Sequence, residues 1–457
     1  MLRNDFDEEN LKILITNSLL VIRQFDWLID SYVLDFYSEN HWSKLPLSWK
    51  NTFATFSPEV FSELLRGHQR SRVWPLSLLC LKLLFKQLCI PRENWSNVPL
   101  KSCLDRPKLR NIFSKCVKPK KRHEIANMAE VCHQSSRETS TKYVVDFGAG
   151  LGHLARVIAY GYGLRVFCLE MQQELNNQAE VIDQQLEITA AKHFPGEEIS
   201  SYKRPIHKTL KLTRDISAEC FLRNLKSTFD IKDEEDFSFG IIGLHPCGNL
   251  APILIKLFLD CPEAKFLNLV GCCYMKLTTN DGPDEKGYPM SNFLKSSNKS
   301  FHCLSYESLE ISCHAIEMYE ERLRLGNYED LRVHSYRAAL ERIIVRYWPD
   351  LKRCGLRSVK HSNSLTFEEY CQRATKNLGK HIPMEDILSE QTAEDLRQWK
   401  QVVIFYTLRL MFAPLIESVL LYDRMLCLLE NGCRINIKAI FDPRISPRNH
   451  ITTAIKR

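Results

Sequence analysis

The residues best suited to chemistry lie in Asp146-Phe147-Gly148-Ala149-Gly150-Leu151-Gly152, where an acid precedes three glycines at alternate positions. The stretch from Lys142 to Gln172 reads as strand, glycine turn, helix and strand. At such a turn, backbone N–H groups and a helix N-terminus must approach a ligand closely. Side chains at Gly148, Gly150 or Gly152 would block that approach. Glu170 ends the second strand and offers a carboxylate where a nucleoside ribose presents two hydroxyls. Two ligands fit the spacing. Counted from Gly150, G-L-G-H-L-A has the dinucleotide form, with Glu170 twenty residues on. Counted from Asp146, D-F-G-A-G-L-G has the S-adenosylmethionine form, in which the added carboxylate lies near an ammonium and a sulfonium. An acid beside a pyrophosphate meets like charge in a partly dry site, so Asp146 favours the methyl donor.

A second group of candidates stands at two later strand ends. FSFGIIGLH reads as a buried strand, ending in Gly243-Leu244-His245-Pro246-Cys247-Gly248-Asn249. His245 is the candidate general base, since imidazole takes a proton near neutral pH. KFLNLVGC is the next strand, followed by Cys273 and Tyr274. A Pro-Cys at one strand end and a cysteine at the next resemble RNA 5-methylcytosine enzymes, where one thiolate attacks the pyrimidine and another assists its release. Cys247 and Cys273 are therefore catalytic candidates, although the acid that usually precedes such a Pro-Cys is absent. Tyr274 either stacks on a base or packs. Upstream, Lys121 and His123 open an apparent helix, Lys120–Val131, that can bring them near the cofactor carboxylate or an RNA phosphate.

These groups need a scaffold. Strands alternate with helices from Lys142 onward, including a long helix from Gln173 to about Lys192, a short strand within Ser201–Lys208, and a helix Asn249–Asp260 capped by Asn249. That alternation predicts an α/β, doubly wound, Rossmann-like sheet with ligand chemistry at the strands' C-terminal ends. A helical run, Leu396–Glu430, and strands Arg434–Phe441 and Asn449–Lys456 complete seven strands, which suits a class I methyltransferase better than a six-stranded nicotinamide domain. Four segments follow: an N-terminal helical domain at 1–118, a first part of the core at 119–277, a mainly helical insertion at 278–395, and the closing core at 396–457.

Composition narrows the partners. The 457 residues carry a net charge of +7, and Lys101–Arg122 alone holds nine Lys/Arg and one acid. The remainder of the chain sums to about −1, so a phosphate-tracking patch for RNA is expected there. A protein substrate is the other option. Seventeen cysteines without any C-x-x-C pair lack zinc-ribbon spacing, and no metal is expected. The apolar runs near Ile13–Leu20 and Val402–Leu429 are broken by Arg23, Arg409, Glu417, Asp423 and Arg424, so no membrane association is expected. The cysteine usage and the acidic N-terminus point to a cytoplasmic or nuclear protein.

The segments KKRHEIANMAE, VVDFGAGLGHLAR, GLHPCGNLAP, VGCCYMKLT, GYPMSNF, HSYRAALERI, FAPLIESVLLYDRMLCLLE and IFDPRISPRN occur in that order. Through them the chain resembles the methyltransferase-like protein 25 family, one branch of which is called ribosomal RNA adenine dimethylase domain-containing protein. The resemblance implies a class I methyltransferase fold and an S-adenosylmethionine site on Asp146, Gly148, Gly150 and Glu170. More distantly, the strand-end motifs are similar to tRNA 2′-O-methyltransferases of the Cys-His-His-Arg-Cys type, whose cysteine-histidine block this sequence lacks. Adenine N6-methyltransferases present Asn/Asp-Pro-Pro-Tyr/Phe where this chain has His245-Pro246-Cys247-Gly248, so adenine dimethylation is not expected. The leading expectation is an S-adenosylmethionine-dependent methyltransferase acting on RNA. Its rivals are a non-catalytic scaffold that binds cofactor or RNA, cysteine chemistry on cytosine, and a nicotinamide oxidoreductase.

Overall fold

The computed structural model describes residues 6–66, 72–93, 95–96, 117–193, 203–212, 217–232, 235–279, 287–326, 329–359, 362 and 364–456. Most of the basic segment, residues 101–116, lies outside them. Two compact units emerge: Met1–Leu19, Ile90–Leu304 and Glu417–Arg457 form one, and Leu20–Cys89 and Ser305–Ile416 form the other.

The first unit is built on a seven-stranded sheet. Its strands are β1 (Tyr143–Phe147), β2 (Arg165–Glu170), β3 (Ile206–Thr209), β4 (Phe239–Cys247), β5 (Ala264–Cys272), β6 (Arg434–Ala439) and β7 (His450–Ile455). They run in the order β3-β2-β1-β4-β5-β7-β6. β1 to β5 pair in parallel, and β7 is antiparallel to both β5 and β6. Parallel central strands are covered on both faces, so they read as unbroken apolar runs. Val144, Val166, Cys168, Ile242, Phe266 and Val270 enter one core, while Val145, Phe147, Phe167, Leu169, Ile241 and Leu267 enter the other. This two-residue alternation is the pleat itself. Gly240 makes room for the ring of Phe266, because a Cβ there would sit 1.9 Å from Phe266 Cζ.

Six helices of the chain matter below: α1 (Pro119–Glu138), α2 (His153–Arg156), α3 (Gln173–His193), α4 (Ala218–Phe229), α5 (Leu250–Asp260) and α6 (Ala413–Glu430). α2 continues as a π-helical turn, Val157–Gly161. Ile125, Met128 and Cys132 of α1 and Leu186 of α3 pack in the first core; Phe221 and Leu225 of α4 and Leu254 and Phe258 of α5 pack in the second. The closing helix and two strands expected of the class I methyltransferase sheet are present, the seventh strand antiparallel, and the fold is of that class, with helical parts before and within it.

The second unit is helical around Glu329–Tyr347, whose Ala339, Leu340 and Ile344 pack with Tyr370, Ala374 and Ile387. Contacts divide the chain differently from the four segments read off the sequence. Residues 20–89 join 305–416 because the short turn Val33–Asp35 buries Asp35, which pairs with Arg353 at 2.6 Å. Two local expectations also change. Leu396–Glu430 is two helices, Trp399–Leu410 and α6, separated at Met411-Phe412. The run Trp399–Glu430 is long and apolar enough to cross a membrane, yet 89% of its most apolar window is buried. Asn249 precedes α5 but does not cap it, because its side chain is spent on Thr278, at 2.6 Å to the hydroxyl and 3.0 Å from the amide.

Candidate active site

β1 delivers Asp146 and then bends at Gly148, Gly150 and Gly152, whose φ angles are +72°, +56° and +70°. All three lie in the left-handed region, which only glycine enters without steric cost. The Gly148 amide donates to Leu169 O at 2.8 Å and the Gly152 amide to Ala149 O at 2.9 Å, tying the bend to β2 and closing it on itself. Glu170 locks it further. Its Oε2 accepts from Gly150 N at 3.0 Å, and its Oε1 accepts from Met171 N at 2.9 Å and Gln172 N at 3.1 Å.

Beside the bend lies a pocket of about 270 Å³ lined by Lys118, Lys121, Asp146, Gly148, His153 and Leu244, among others. Asp146 is only 2% exposed. Burial pushes its carboxyl up to about 7, with Glu170 adding to the rise and the Lys121 ammonium opposing it. A buried acid without a compensating hydrogen bond costs free energy, so this position favours a cationic ligand. A Cβ on Gly150 would meet no protein atom within 4 Å, so the space over the turn is open. The acid, the open backbone and the carboxylate of Glu170 behind the turn together fit S-adenosylmethionine.

Behind the turn is a buried ion network that sequence reading missed. Arg156 of α2 pairs through Nε with Asp183 of α3, donates from Nη2 to Ala179 O at 2.8 Å, and lies 3.0 Å through Nη1 from His153 Nδ1. His207 of β3 meets the other Asp183 oxygen at 2.8 Å. Burial first, and Arg156 second, draws His153 down to about 4, so its ring is neutral and can accept from the guanidinium. A Cβ on Gly152 would sit 2.6 Å from His207 Cε1, so the third glycine is also required by this network.

At the end of β4 the ladder bulges: His245 and Pro246 stand against Gly271 alone, between the pairs Leu244↔Val270 and Cys247↔Cys272. His245 takes φ +67°, and the bulge turns its ring toward α1. There Nε2 meets the buried Oε1 of Glu124 at 3.0 Å, and Ser446 donates to the same oxygen at 2.6 Å. Burial pushes Glu124 up, but the bond and charge of His245, the Ser446 hydroxyl and Lys120 hold it below the ordinary carboxylate value. Donation from Nε2 leaves His245 Nδ1 as the ring's acceptor, buried and without a hydrogen-bond partner among the described residues, and His245 does not line the pocket.

Cys247 and Cys273 meet at 3.2 Å. His123 lies elsewhere: its Nε2 accepts from Asp442 N at 2.9 Å and its ring packs on Trp95 and Phe441, so it secures α1 to the segment after β6 and does not line the pocket. Its helical neighbour Lys121 does line it. Tyr274 is 1% exposed and donates to Glu417 at 3.1 Å, which excludes base stacking in this arrangement. Glu124 was also missed, and its one sequence signal was an acid near the start of a helix running directly into the glycine-turn strand.

Residues 120–280 match the family described as "Methyltransferase domain". The chain is 29% identical to "Probable methyltransferase-like protein 25" of Mus musculus over 260 residues, covering 54% of this chain and 41% of that protein. The Homo sapiens protein of the same name is 29% identical over 296 residues, covering 60% and 46%. The match thus spans less than half the length of either relative. Among solved structures, the plantazolicin methyltransferase BpumL in complex with SAH is 12% identical at a TM-score of 0.21, covering 65% of this chain and 87% of that one. Coclaurine N-methyltransferase bound to N-methylheliamine and SAH is 13% identical at 0.25, covering 99% and 96%.

Proposed function

From a chain that carries a class I methyltransferase domain and resembles methyltransferase-like protein 25, we propose an enzyme that moves a methyl group from S-adenosylmethionine to RNA in the cytosol or nucleus. The observation that carries the activity is Asp146, a buried acid facing a pocket rimmed by a glycine turn that Glu170 holds open. When bound, the cofactor supplies an electrophilic methyl group. Glu170 would hold the ribose hydroxyls on lone pairs left over from its three backbone bonds. Asp146 would hold the cationic methionine end, and Lys121 its carboxylate. Leu244 closes the pocket toward β4, and His245, the next residue in the chain, stands beyond that wall and does not line it. Holding the acceptor in line contributes up to about 7–11 kcal/mol, the upper range for proximity. His245, oriented by Glu124, takes the acceptor's proton at Nδ1 once the bulge shifts to uncover that buried nitrogen.

RNA is favoured over protein because the basic run Lys101–Arg122 leads into α1, and two of its described lysines, Lys118 and Lys121, already line the pocket. A reducing compartment suits the fifteen free cysteines among the described residues. The test is tritiated methyl transfer onto fractionated cell RNA and protein. Label in protein alone overturns the substrate; label in neither fraction, with S-adenosylhomocysteine still raising the melting temperature, supports a scaffold instead. His245→Ala is expected to lower turnover by about 10²–10⁴-fold, the usual worth of a positioned base, with unchanged S-adenosylhomocysteine binding by calorimetry. Unchanged turnover removes His245 from the mechanism.

A further inference from the structure

Three thiols converge at the ends of β4 and β5, and the methyl transfer proposed above uses none of them. Cys273 Sγ lies 3.2 Å from Cys247 Sγ and 3.4 Å from Cys272 Sγ, and all three sulfurs fall within 4.8 Å of one another. Sequence spacing hid this cluster, because it joins two strand ends instead of forming a C-x-x-C loop.

The convergence depends on unusual backbone. Consecutive residues of a strand point to opposite faces, so Cys272 and Cys273 would ordinarily diverge. Cys273 instead adopts φ +46° and ψ 50°, a left-handed conformation that residues with a Cβ avoid, and its thiol returns beside that of Cys272. On β4 the His245-Pro246 bulge brings Cys247 into register with Cys272. Cysteines that merely fill a core need no such devices. Cys132 and Cys168 are buried in regular elements, whereas Cys247 is exposed and Cys272 and Cys273 are half-buried.

We infer that Cys247, Cys272 and Cys273 bind one zinc(II) ion as thiolates, with the fourth tetrahedral position open to solvent. Thiolate sulfur suits zinc, and three protein ligands with one open position is the pattern of reactive rather than purely structural zinc sites. Three thiolates around a divalent ion leave one negative charge, and the Lys276 ammonium acts on Cys247 and Cys273 to offset it. As the three metal–sulfur bonds form, the protons of all three thiols leave to solvent. Ligation is favoured over covalent attack on a pyrimidine because that chemistry needs two thiols, and three are gathered.

The full chain, purified with reductant and stripped by chelator, is given limiting zinc(II) and passed through gel filtration before elemental analysis. About one zinc per chain is expected, with retention at least about tenfold lower in Cys247→Ser and Cys272→Ser and unchanged in Cys220→Ser, an exposed cysteine outside the cluster. Cobalt(II) in place of zinc should give thiolate charge-transfer absorption that Cys272→Ser lacks. Should the serine variants fail to fold, wild-type protein decides: zinc must slow alkylation of Cys247, Cys272 and Cys273 over that of Cys220. No stoichiometric uptake by folded wild type, no protection, or undiminished uptake by folded Cys272→Ser overturns the site. So does a Cys247–Cys273 disulfide in freshly purified, metal-free protein.

Discussion

Asp146→Asn is expected to raise the melting temperature of the free protein near pH 8 while weakening its thermal response to S-adenosylmethionine. The ordinary Asp value is 3.8, and burial lifts Asp146 to about 7 in the folded state. Between those values the folded chain binds the proton more tightly than the unfolded one. Its contribution to stability is therefore complete below about pH 4 and is lost as pH rises through about 7. The rise from 3.8 to about 7 sets a ceiling of about 4 kcal/mol on the cost of the buried charge above neutrality. Asparagine keeps the volume and removes the charge, so the variant's advantage should be absent near pH 4 and widen up to about pH 8. The same change removes the counter-charge for a cationic ligand, and hydrogen bonds to charged groups are worth about 1.5–3 kcal/mol, so affinity should fall by about 10–100-fold. Differential scanning fluorimetry across pH, with and without ligand, checks both halves. A pH-independent gap removes the burial argument, and an undiminished ligand shift removes Asp146 from the cofactor site.

Arg156→Met should be among the most destabilising single changes near the site. Arg156 and Asp183 have side chains 1% and 0% exposed, so methionine leaves Asp183 in a dry interior with His207 as its remaining partner. Breaking a buried pair by removing one member costs about 3–5 kcal/mol, because the other charge stays uncompensated. The shift in urea midpoint measures the loss, and a change below about 1 kcal/mol would falsify the view that this pair carries its own desolvation. The glycine turn should suffer too. Gly152 stands against His207, whose position depends on Asp183, so any variant that still folds should bind S-adenosylhomocysteine more weakly than a core variant of equal stability.

The two experiments probe different kinds of information in the chain. The glycine turn was readable because it is local: Asp146, Gly148, Gly150 and Gly152 lie within seven residues, and their types follow from strand exit, left-handed backbone and close approach of a ligand. Strand-end positions of His245 and Cys247 were readable for the same reason. The pocket-facing role expected of His123 was not, since a histidine at a helix start looks alike from sequence whether it faces a pocket or accepts an amide 319 residues away, from Asp442.

By itself, the order of residues determined the alternation of strands and helices, the seven-strand count, the acid-and-glycine turn and the carboxylate twenty residues beyond it, because each depends on neighbours within one element or its adjoining loop. Only the tertiary structure decided the partners. Glu124 reaches His245 across 121 residues, Asp183 gathers Arg156 and His207 from two other elements, and Cys247 meets Cys272 through strand register. The reason is physical. Backbone preferences act over a few bonds, whereas ion pairs, buried acids and thiol clusters are set by which surfaces the packed layers press together.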